Sequence, residues 1–191
     1  MGYPARYVQR FLPSPWTRKK VEELTAIEDI EAVATELERL GVSGATPNIT
    51  EIYEYDFDGN GDKGRIILAN MPRTENGYPI VSKEELENGH SGYYYVLLTK
   101  DKDGYDTIAS WCWPYNFDED LQKHLRAEPE GYSLYTEAIR GISLSGIFDL
   151  NNDGIFELCI REYCYEWGSM LVFALDEHGR WQQVLHGEYG M

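Results

Sequence analysis

Oxygen-bearing side chains recur at alternate positions in one stretch near the C-terminal end of the chain, residues 149–157. A hard cation such as calcium takes about six to eight oxygen ligands, and alternate residues of a tight loop can supply them. Gly154 stands at relative position 6, where such a loop must turn sharply. The sequence therefore predicts a calcium site in this second of two similar loops. Its predicted ligands, at positions 1, 3, 5, 7 and 9, are the side chains of Asp149, Asn151, Asp153 and Glu157 and the backbone carbonyl of Ile155.

A less complete copy of the pattern, the first loop, lies in residues 56–67. Gly61 takes position 6, but Gly64 stands at position 9 and offers no side-chain oxygen, so a neighbouring acid is expected to substitute for it. The predicted ligands of the first loop are Asp56, Asp58, Asn60 and Asp62. Acidic stretches rich in Gly and Asn also form ordinary solvent-exposed turns, which is the alternative interpretation of both loops.

Both loops differ from an EF-hand at their C-terminal ends. An EF-hand has a glutamate at position 12 and continues into a helix, whereas position 12 here is Ile67 or Ile160. The apolar, partly β-branched residues around these two positions favour strands instead. The combination resembles the FG-GAP and VCBS-type repeats, over residues 50–112 and 140–187. The resemblance implies bound calcium and a loop that joins the first two strands of a β-propeller blade.

The predicted fold is mainly β with helical additions: two blade-like, four-stranded antiparallel sheet repeats and an N-terminal helical segment. Residues 1–46 form a basic leader and an amphipathic helical segment, and residues 47–191 form the two-repeat β domain. Repeat one covers 50–112, a helical link covers 113–139, and repeat two covers 140–187. The predicted strands are 50–56, 65–71, 93–100 and 105–112 in the first repeat, and 141–148, 157–164, 169–176 and 180–186 in the second.

The helical segment is predicted over residues 17–40, where apolar residues recur every three or four positions. Acids on the other side of this helix, including Glu31, Glu36 and Glu38, are expected to form a solvated face. Thr25 with Glu28 is an internal capping-box pair, which predicts that the helix breaks there into two.

Shorter signals lie in the connections between strands. Ser82 with Glu85 predicts a short helix inside an insertion at residues 72–91, and Asn116 with Glu119 predicts another in the link. Residues 101–104, Asp-Lys-Asp-Gly, are interpreted as a hairpin turn rather than a third metal loop.

The net charge of −16 argues against nucleic acid as a partner and suits a cation or a basic protein. The leader is the exception, because residues 1–20 carry five basic side chains and no acid. It lacks the apolar core of a signal peptide, and no apolar run is long enough for a membrane span. Calcium binding favours a bacterial protein that works outside the cytoplasm, in the periplasm or secreted. The three cysteines allow at most one disulfide and are interpreted as reduced core residues.

No catalytic constellation stands out. The four histidines show no close zinc spacing, and the chain has no GxSxG motif and no phosphate-binding glycine loop. The predicted function is therefore a non-catalytic, calcium-binding, propeller-like module that binds a protein, possibly a basic one. The alternatives are an acidic inhibitor or immunity-type protein that neutralises a basic toxin or enzyme, and a carbohydrate-active enzyme or binder. The predicted partner surface contains Tyr163, Tyr165, Glu166 and Trp167, together with some of Tyr93, Tyr94 and Tyr95.

Overall fold

Antiparallel strands dominate the computed structural model, which describes residues 17–19, 25–56, 63–73, 80–88, 92–114, 125–128, 131–134, 141–163 and 167–190. The helices in these ranges are α1 (Ile27–Arg39) and α2 (Lys83–Glu87). The strands are β1 (Thr17–Lys19), β2 (Ile49–Tyr55), β3 (Gly64–Asn70), β4 (Ile80–Val81), β5 (Gly92–Lys100), β6 (Tyr105–Pro114), β7 (Leu125–Glu128), β8 (Gly131–Leu134), β9 (Gly141–Phe148), β10 (Glu157–Tyr163), β11 (Trp167–Leu175) and β12 (Trp181–Gly190). The prediction of a mainly β fold with two four-stranded antiparallel units is confirmed.

The first sheet has the order β1-β2-β3-β5-β6, so it consists of the predicted first unit and one additional strand. That strand, β1, pairs antiparallel with β2, with Arg18 opposite Tyr53. The prediction of a helix from residue 17 is therefore wrong for Thr17–Lys19. An open sheet edge offers unpaired backbone groups, and an extended segment satisfies them better than a first helical turn would.

The second sheet has the order β12-β11-β10-β9, the predicted second unit in sequence order. Its hairpin between β11 and β12 turns at Gly179, which has a φ of 74°. The corresponding hairpin of the first sheet is closed by the carboxylate of Asp101, which accepts hydrogen bonds from the amides of Asp103 (2.7 Å) and Gly104 (3.1 Å). The prediction that residues 101–104 form a turn is confirmed.

The first sheet is covered on both faces, because successive side chains of a strand point in opposite directions. On β3, Ile67 and Ala69 pack with α1 in one core cluster. Their neighbours Ile66 and Leu68 pack in a second cluster with residues of β9, β10 and β11. The layers are thus helix, sheet and sheet, and β3 lies in the middle of them.

Helix α1 packs on the sheet through only part of its predicted apolar face, because Val33 and Leu37 are buried whereas Ile30 is exposed. It begins at Ile27 with Ala26 as the N-cap, whose amide donates to Asp29 (3.1 Å), so the predicted pair Thr25 and Glu28 is one residue out of step. Ile27 is exposed, whereas Asp29 and Glu36 are buried. The prediction that Glu36 belongs to a solvated face is wrong, because its carboxylate accepts hydrogen bonds from Arg39 of the same helix and from Thr107 of β6. Asp29 is bonded to Arg65 of β3 and Tyr105 of β6.

Helix α2 has the capping box that its sequence predicted. The amide of Glu85 donates to the Ser82 hydroxyl (3.1 Å), and the amide of Ser82 donates to the Glu85 carboxylate (3.0 Å). The same carboxylate accepts a hydrogen bond from the amide of Thr46 (3.0 Å). A sequence signal for a local cap therefore also fixes the insertion to the segment that follows α1.

The described part of the link between the repeats is extended. Strands β7 and β8 form a hairpin, and β8 also pairs with β4 from the insertion to give a third, three-stranded sheet. The predicted helix at Asn116 and Glu119 lies outside the described residues. Within the described ranges, neither helix is long and apolar enough to cross a membrane.

Candidate calcium loop

The second loop connects β9 to β10 across the end of the second sheet. Asp149 follows directly after β9, and Glu157 is the first residue of β10, paired with Phe148. The hairpin therefore brings position 1 and position 9 of the loop to the same end of two neighbouring strands. The sheet register, rather than the loop alone, holds these two acids near each other.

Short polar side chains organise the loop around its own backbone. The carboxylate of Asp149 accepts hydrogen bonds from the amides of Asp153 and Gly154, both at 3.1 Å. The Asn151 side-chain oxygen accepts from the amide of Asp153 (3.0 Å), and the Asp153 carboxylate accepts from the amide of Ile155 (2.8 Å). These bonds engage the side-chain oxygens of positions 1, 3 and 5 with amides of the loop itself.

Two residues of the loop have left-handed backbone conformations. Gly154 has a φ of 88° and Asn152 a φ of 62°. Glycine pays no steric penalty there, and asparagine tolerates this region better than most residues. The sharp turn predicted at Gly154 is confirmed.

Glu157 closes the loop from the strand side. Its carboxylate accepts a hydrogen bond of 2.7 Å from the amide of Leu150, and only 4 % of the residue is exposed. Burial raises the pKa of Glu157, the Leu150 amide opposes that shift, and the negative charges of Asp153 and Asp149 raise the pKa further. A cation at this place would relieve the repulsion among the three carboxylates.

The ligand types of the second loop fit calcium, because every predicted donor is an oxygen and three of the donors are acids. The carboxylates, however, are engaged with loop amides. In the described part of the chain, no three His, Cys, Asp or Glu side chains converge in an arrangement that could hold a metal ion. Calcium binding therefore stays a prediction that rests on the residue types and on the loop's hydrogen bonds.

The first loop begins beside the second. Asp56 follows β2 and is half-buried, whereas Asp58, Asn60 and Asp62 lie outside the described residues. The ring of Tyr55 meets the ring of Phe156 edge-on, with centroids 5.6 Å apart. Burial raises the pKa of Tyr55, and the charges of Asp56 and Asp149 raise it further. Position 1 of each loop therefore lies near the same tyrosine.

Exposed apolar side chains flank the second loop, a feature that the sequence patterns did not predict. Leu150 is 54 % exposed, and Phe148 and Ile155 are also exposed. The sequence contained one signal for this feature, because the apolar Leu150 stands between two predicted ligands. An ordinary solvent-exposed turn does not require an apolar residue at such a position. The loop region thus combines acids with apolar contact area.

The predicted partner surface is only partly described. Tyr163 is half-buried and lies under the guanidinium group of Arg73, which is 5.0 Å from the ring centroid. Tyr165, Glu166 and the side chain of Trp167 lie outside the described residues.

The prediction that Tyr93, Tyr94 or Tyr95 contributes to an exposed surface is wrong, because all three are buried. They belong to β5, which is enclosed on both faces in the middle of the first sheet.

Two residues of β10 with catalytic potential, Cys159 and Glu162, are buried. Glu162 is buried and accepts hydrogen bonds from the hydroxyls of Tyr95 (3.0 Å) and Ser169 (2.7 Å). Burial, followed by the charge of Glu157, raises the pKa of the Cys159 thiol to about 11, which disfavours the thiolate. Cys112 and Cys159 are free thiols.

Comparison of the chain with known protein families, with curated proteins and with solved structures finds no match. The resemblance to FG-GAP and VCBS-type repeats accordingly rests on the loop residues and on the strands that come after them.

Proposed function

We propose that this protein is a non-catalytic calcium-binding module of propeller-like repeats that docks on another protein. The observation that carries the proposal is the internal order of the second loop. Asp149 bonds to two loop amides, and Glu157 bonds back to Leu150 from the adjoining strand. Side-chain oxygens at positions 1, 3, 5 and 9 thus all accept hydrogen bonds from backbone amides of one short hairpin loop.

The ion is calcium rather than a transition metal, because the donors are carboxylates, an amide oxygen and a carbonyl, with no thiolate or imidazole among them. Calcium also tolerates irregular coordination better than magnesium does, which suits a loop of nine residues with a strand on each side. The first loop is proposed as a second, weaker site through Asp56, Asp58, Asn60 and Asp62.

The partner-facing region is proposed to be the second loop with its exposed neighbours Phe148, Leu150 and Ile155. Apolar side chains at the centre of a contact supply affinity, and surrounding charges steer the encounter. A net charge of −16 favours a partner with a basic surface. Bound calcium would fix the loop and so pre-organise Leu150 and Ile155 for contact, which lowers the entropy cost of docking.

Isothermal titration with calcium tests the metal site. The double variant Asp149→Ala, Asp153→Ala is expected to lose one site. A matched control is Asp101→Ala, Asp103→Ala, which removes the same charge from an acidic turn whose carboxylate closes a hairpin. Unchanged stoichiometry in the first variant would refute calcium binding at the second loop.

Capture of a protein partner from the source organism, with calcium or with a chelator, tests the docking proposal. The pair Leu150→Ser, Ile155→Ser is expected to lose the captured protein while keeping calcium stoichiometry. Retention of the same partner by this variant would place the interface elsewhere on the protein.

A further inference from the structure

One edge of the first sheet is formed by a segment of the basic leader. Strand β1 (Thr17–Lys19) stands at the end of the order β1-β2-β3-β5-β6 and pairs antiparallel with β2. Residues 1–20 carry five basic side chains, and all 33 acids of the chain come after them. Without β1, strand β2 would itself offer backbone N–H and C=O groups to another strand. The chain thus places its own basic segment on the edge of an acidic body.

Strand β1 pairs with only part of β2. Its three residues lie opposite residues 52–54, whereas β2 (Ile49–Tyr55) has seven residues. A segment that paired along all of β2 would form about twice as many backbone hydrogen bonds as β1 does. A strand of the same chain has an effective concentration in the millimolar range, and the additional bonds of a longer strand offset that advantage. Strand β1 is therefore short enough to be displaced.

The acids of β2 favour a basic occupant of this edge. Glu51 and Glu54 are half-buried, and the carboxylate of Glu51 accepts a hydrogen bond from the Tyr53 hydroxyl. In the register of β1, the neutral Thr17 lies opposite Glu54. Opposite charges at directly opposed positions stabilise an antiparallel pair, and like charges destabilise it. A segment with Lys or Arg opposite Glu54 therefore matches β2 better than the chain's own strand does.

We propose that β2 is a strand-addition site for a basic, extended segment of the protein partner, and that this segment displaces β1. The inference rests on the proposed function for the existence of a protein partner, and it adds a contact on the first sheet. In this kind of recognition, main-chain pairing supplies affinity and alternate side chains supply specificity. The partner segment pairs antiparallel, as β1 does, along the seven residues of β2 and has a cation opposite Glu54.

A labelled peptide with the sequence of residues 15–21 of this chain is the probe, and fluorescence anisotropy in the presence of chelator measures its binding. The intact chain should bind it weakly, because β1 competes for the same edge. Arg18→Pro, Lys19→Pro is expected to prevent β1 from pairing, because adjacent residues of a strand donate to opposite sides and proline donates to neither. Removal of this intramolecular competitor should tighten binding by about tenfold or more. The control Arg6→Pro, Arg10→Pro removes the same charge from the leader outside β1 and should bind as the intact chain does.

A reversible cross-link tests the same edge without proline. Thr17→Cys, Glu54→Cys places two thiols at directly opposed positions of β1 and β2, where a disulfide can form. Oxidation should hold β1 in place and abolish peptide binding, and reduction should restore it. The unaltered chain, oxidised in the same way with its free Cys112 and Cys159, is the control and should bind the peptide throughout.

Two altered peptides separate strand addition from attraction by charge alone. Methylation of the backbone nitrogens of Arg18 and Lys19 keeps the charge of the peptide but removes its donors, so binding to the proline variant should be lost. A peptide with Thr17→Lys should bind about two- to fivefold more tightly, because it places a cation opposite Glu54.

Three results would overturn the proposal: failure of the original peptide to bind the proline variant, undiminished binding of the methylated peptide, or binding to the oxidised cross-linked chain. If the proline variant does not fold, the cross-linked chain still decides the question. None of these measurements depends on calcium or on the exposed side chains of the second loop, so this inference and the proposed function fail separately.

Discussion

The side-chain amide of Asn70 bonds to both backbone groups of Ile142, accepting from its N–H at 2.8 Å and donating to its C=O at 3.1 Å. The Asn70 side chain therefore makes the kind of hydrogen bonds that a neighbouring strand would make to Ile142, and it links the first sheet to the second. Both residues are buried, so neither backbone group of Ile142 can turn to water instead.

Asn70→Ala is expected to destabilise the protein strongly, because it leaves a buried N–H and a buried C=O without partners. Each such group costs about 1–3 kcal/mol. Urea unfolding followed by tryptophan fluorescence measures the loss. Asn88→Ala, at an exposed position after α2, is the matched control and should change the free energy of unfolding by less than about 0.5 kcal/mol. Equal effects of the two substitutions would contradict the bridging role of Asn70.

Two neighbouring acids of α1 bond to cations of the first sheet at different depths. Asp29 is completely buried and meets Arg65 at 2.9 Å and the Tyr105 hydroxyl at 2.7 Å. Glu28 is 71 % exposed and meets Lys100 at 2.9 Å. Asp29→Ala is expected to cost about 3–5 kcal/mol, as is usual for breaking a buried pair. Glu28→Ala is expected to cost less than about 1 kcal/mol. Thermal and urea unfolding of both variants check the contrast, and a small effect of Asp29→Ala would refute it.

Glu36 makes part of the stability dependent on pH. Burial alone would raise its pKa, but hydrogen bonds from Arg39, Ser110 and Thr107 outweigh burial, so the pKa in the folded protein is lowered from its ordinary value of 4.5. The unfolded chain therefore binds this proton more readily than the folded protein does. The stabilisation is present above pH 4.5 and is lost as pH falls through the lowered pKa.

The free energy of unfolding of the intact protein should therefore exceed that of Glu36→Gln by a constant amount well above pH 4.5. This difference should shrink in more acidic solution. Urea unfolding at a series of pH values measures it. Glu38→Gln, at an exposed position of α1, should show no such trend. An advantage that grows toward acid would have the wrong sign and would contradict the assignment.

Calcium is expected to raise the melting temperature, because it binds the folded loop and relieves repulsion among Asp149, Asp153 and Glu157. Linkage predicts about 2.7 kcal/mol per site at a hundredfold excess over the dissociation constant. Calorimetry with calcium and with chelator measures the effect. The double variant Asp149→Ala, Asp153→Ala should lose the part of the calcium stabilisation that comes from one site. The control Asp101→Ala, Asp103→Ala should keep the full calcium stabilisation. A melting temperature indifferent to calcium and chelator would exclude both proposed sites.

Local signals predicted local structure well. The spacing of turn residues indicated the hairpin at residues 101–104, the capping pair Ser82 and Glu85 indicated α2, and the glycine at position 6 indicated the sharp bend of the second loop. Each of these depends on residues a few positions apart. The two four-stranded units were also predicted from local patterns. The alternation of apolar residues and the spacing of turns can be recognised without knowing the tertiary contacts.

Predictions that depended on distant partners were less accurate. The sequence pattern places Glu36 in solvent because nothing near it along the chain reveals that Thr107 and Ser110 lie across from it. The same pattern places the tyrosines of β5 on a surface because it does not show that both faces of this strand are covered. The edge pairing of β1 was not predicted for a different reason. A strand of three residues is too short to show the two-residue alternation of apolar and polar side chains.

The core between the sheets is composed of side chains from both repeats, including Leu68 and Leu97 from one and Leu158 and Phe173 from the other. Each half of the chain thus carries one surface that only the other half can bury. Repeats in an extended array can be added or removed because each is sealed by a similar neighbour. Here the two units are complementary rather than interchangeable. A fragment that ends within the link would expose the tyrosines and leucines of that shared layer to water, so the chain is expected to unfold as one body and to resist division into separately expressed halves.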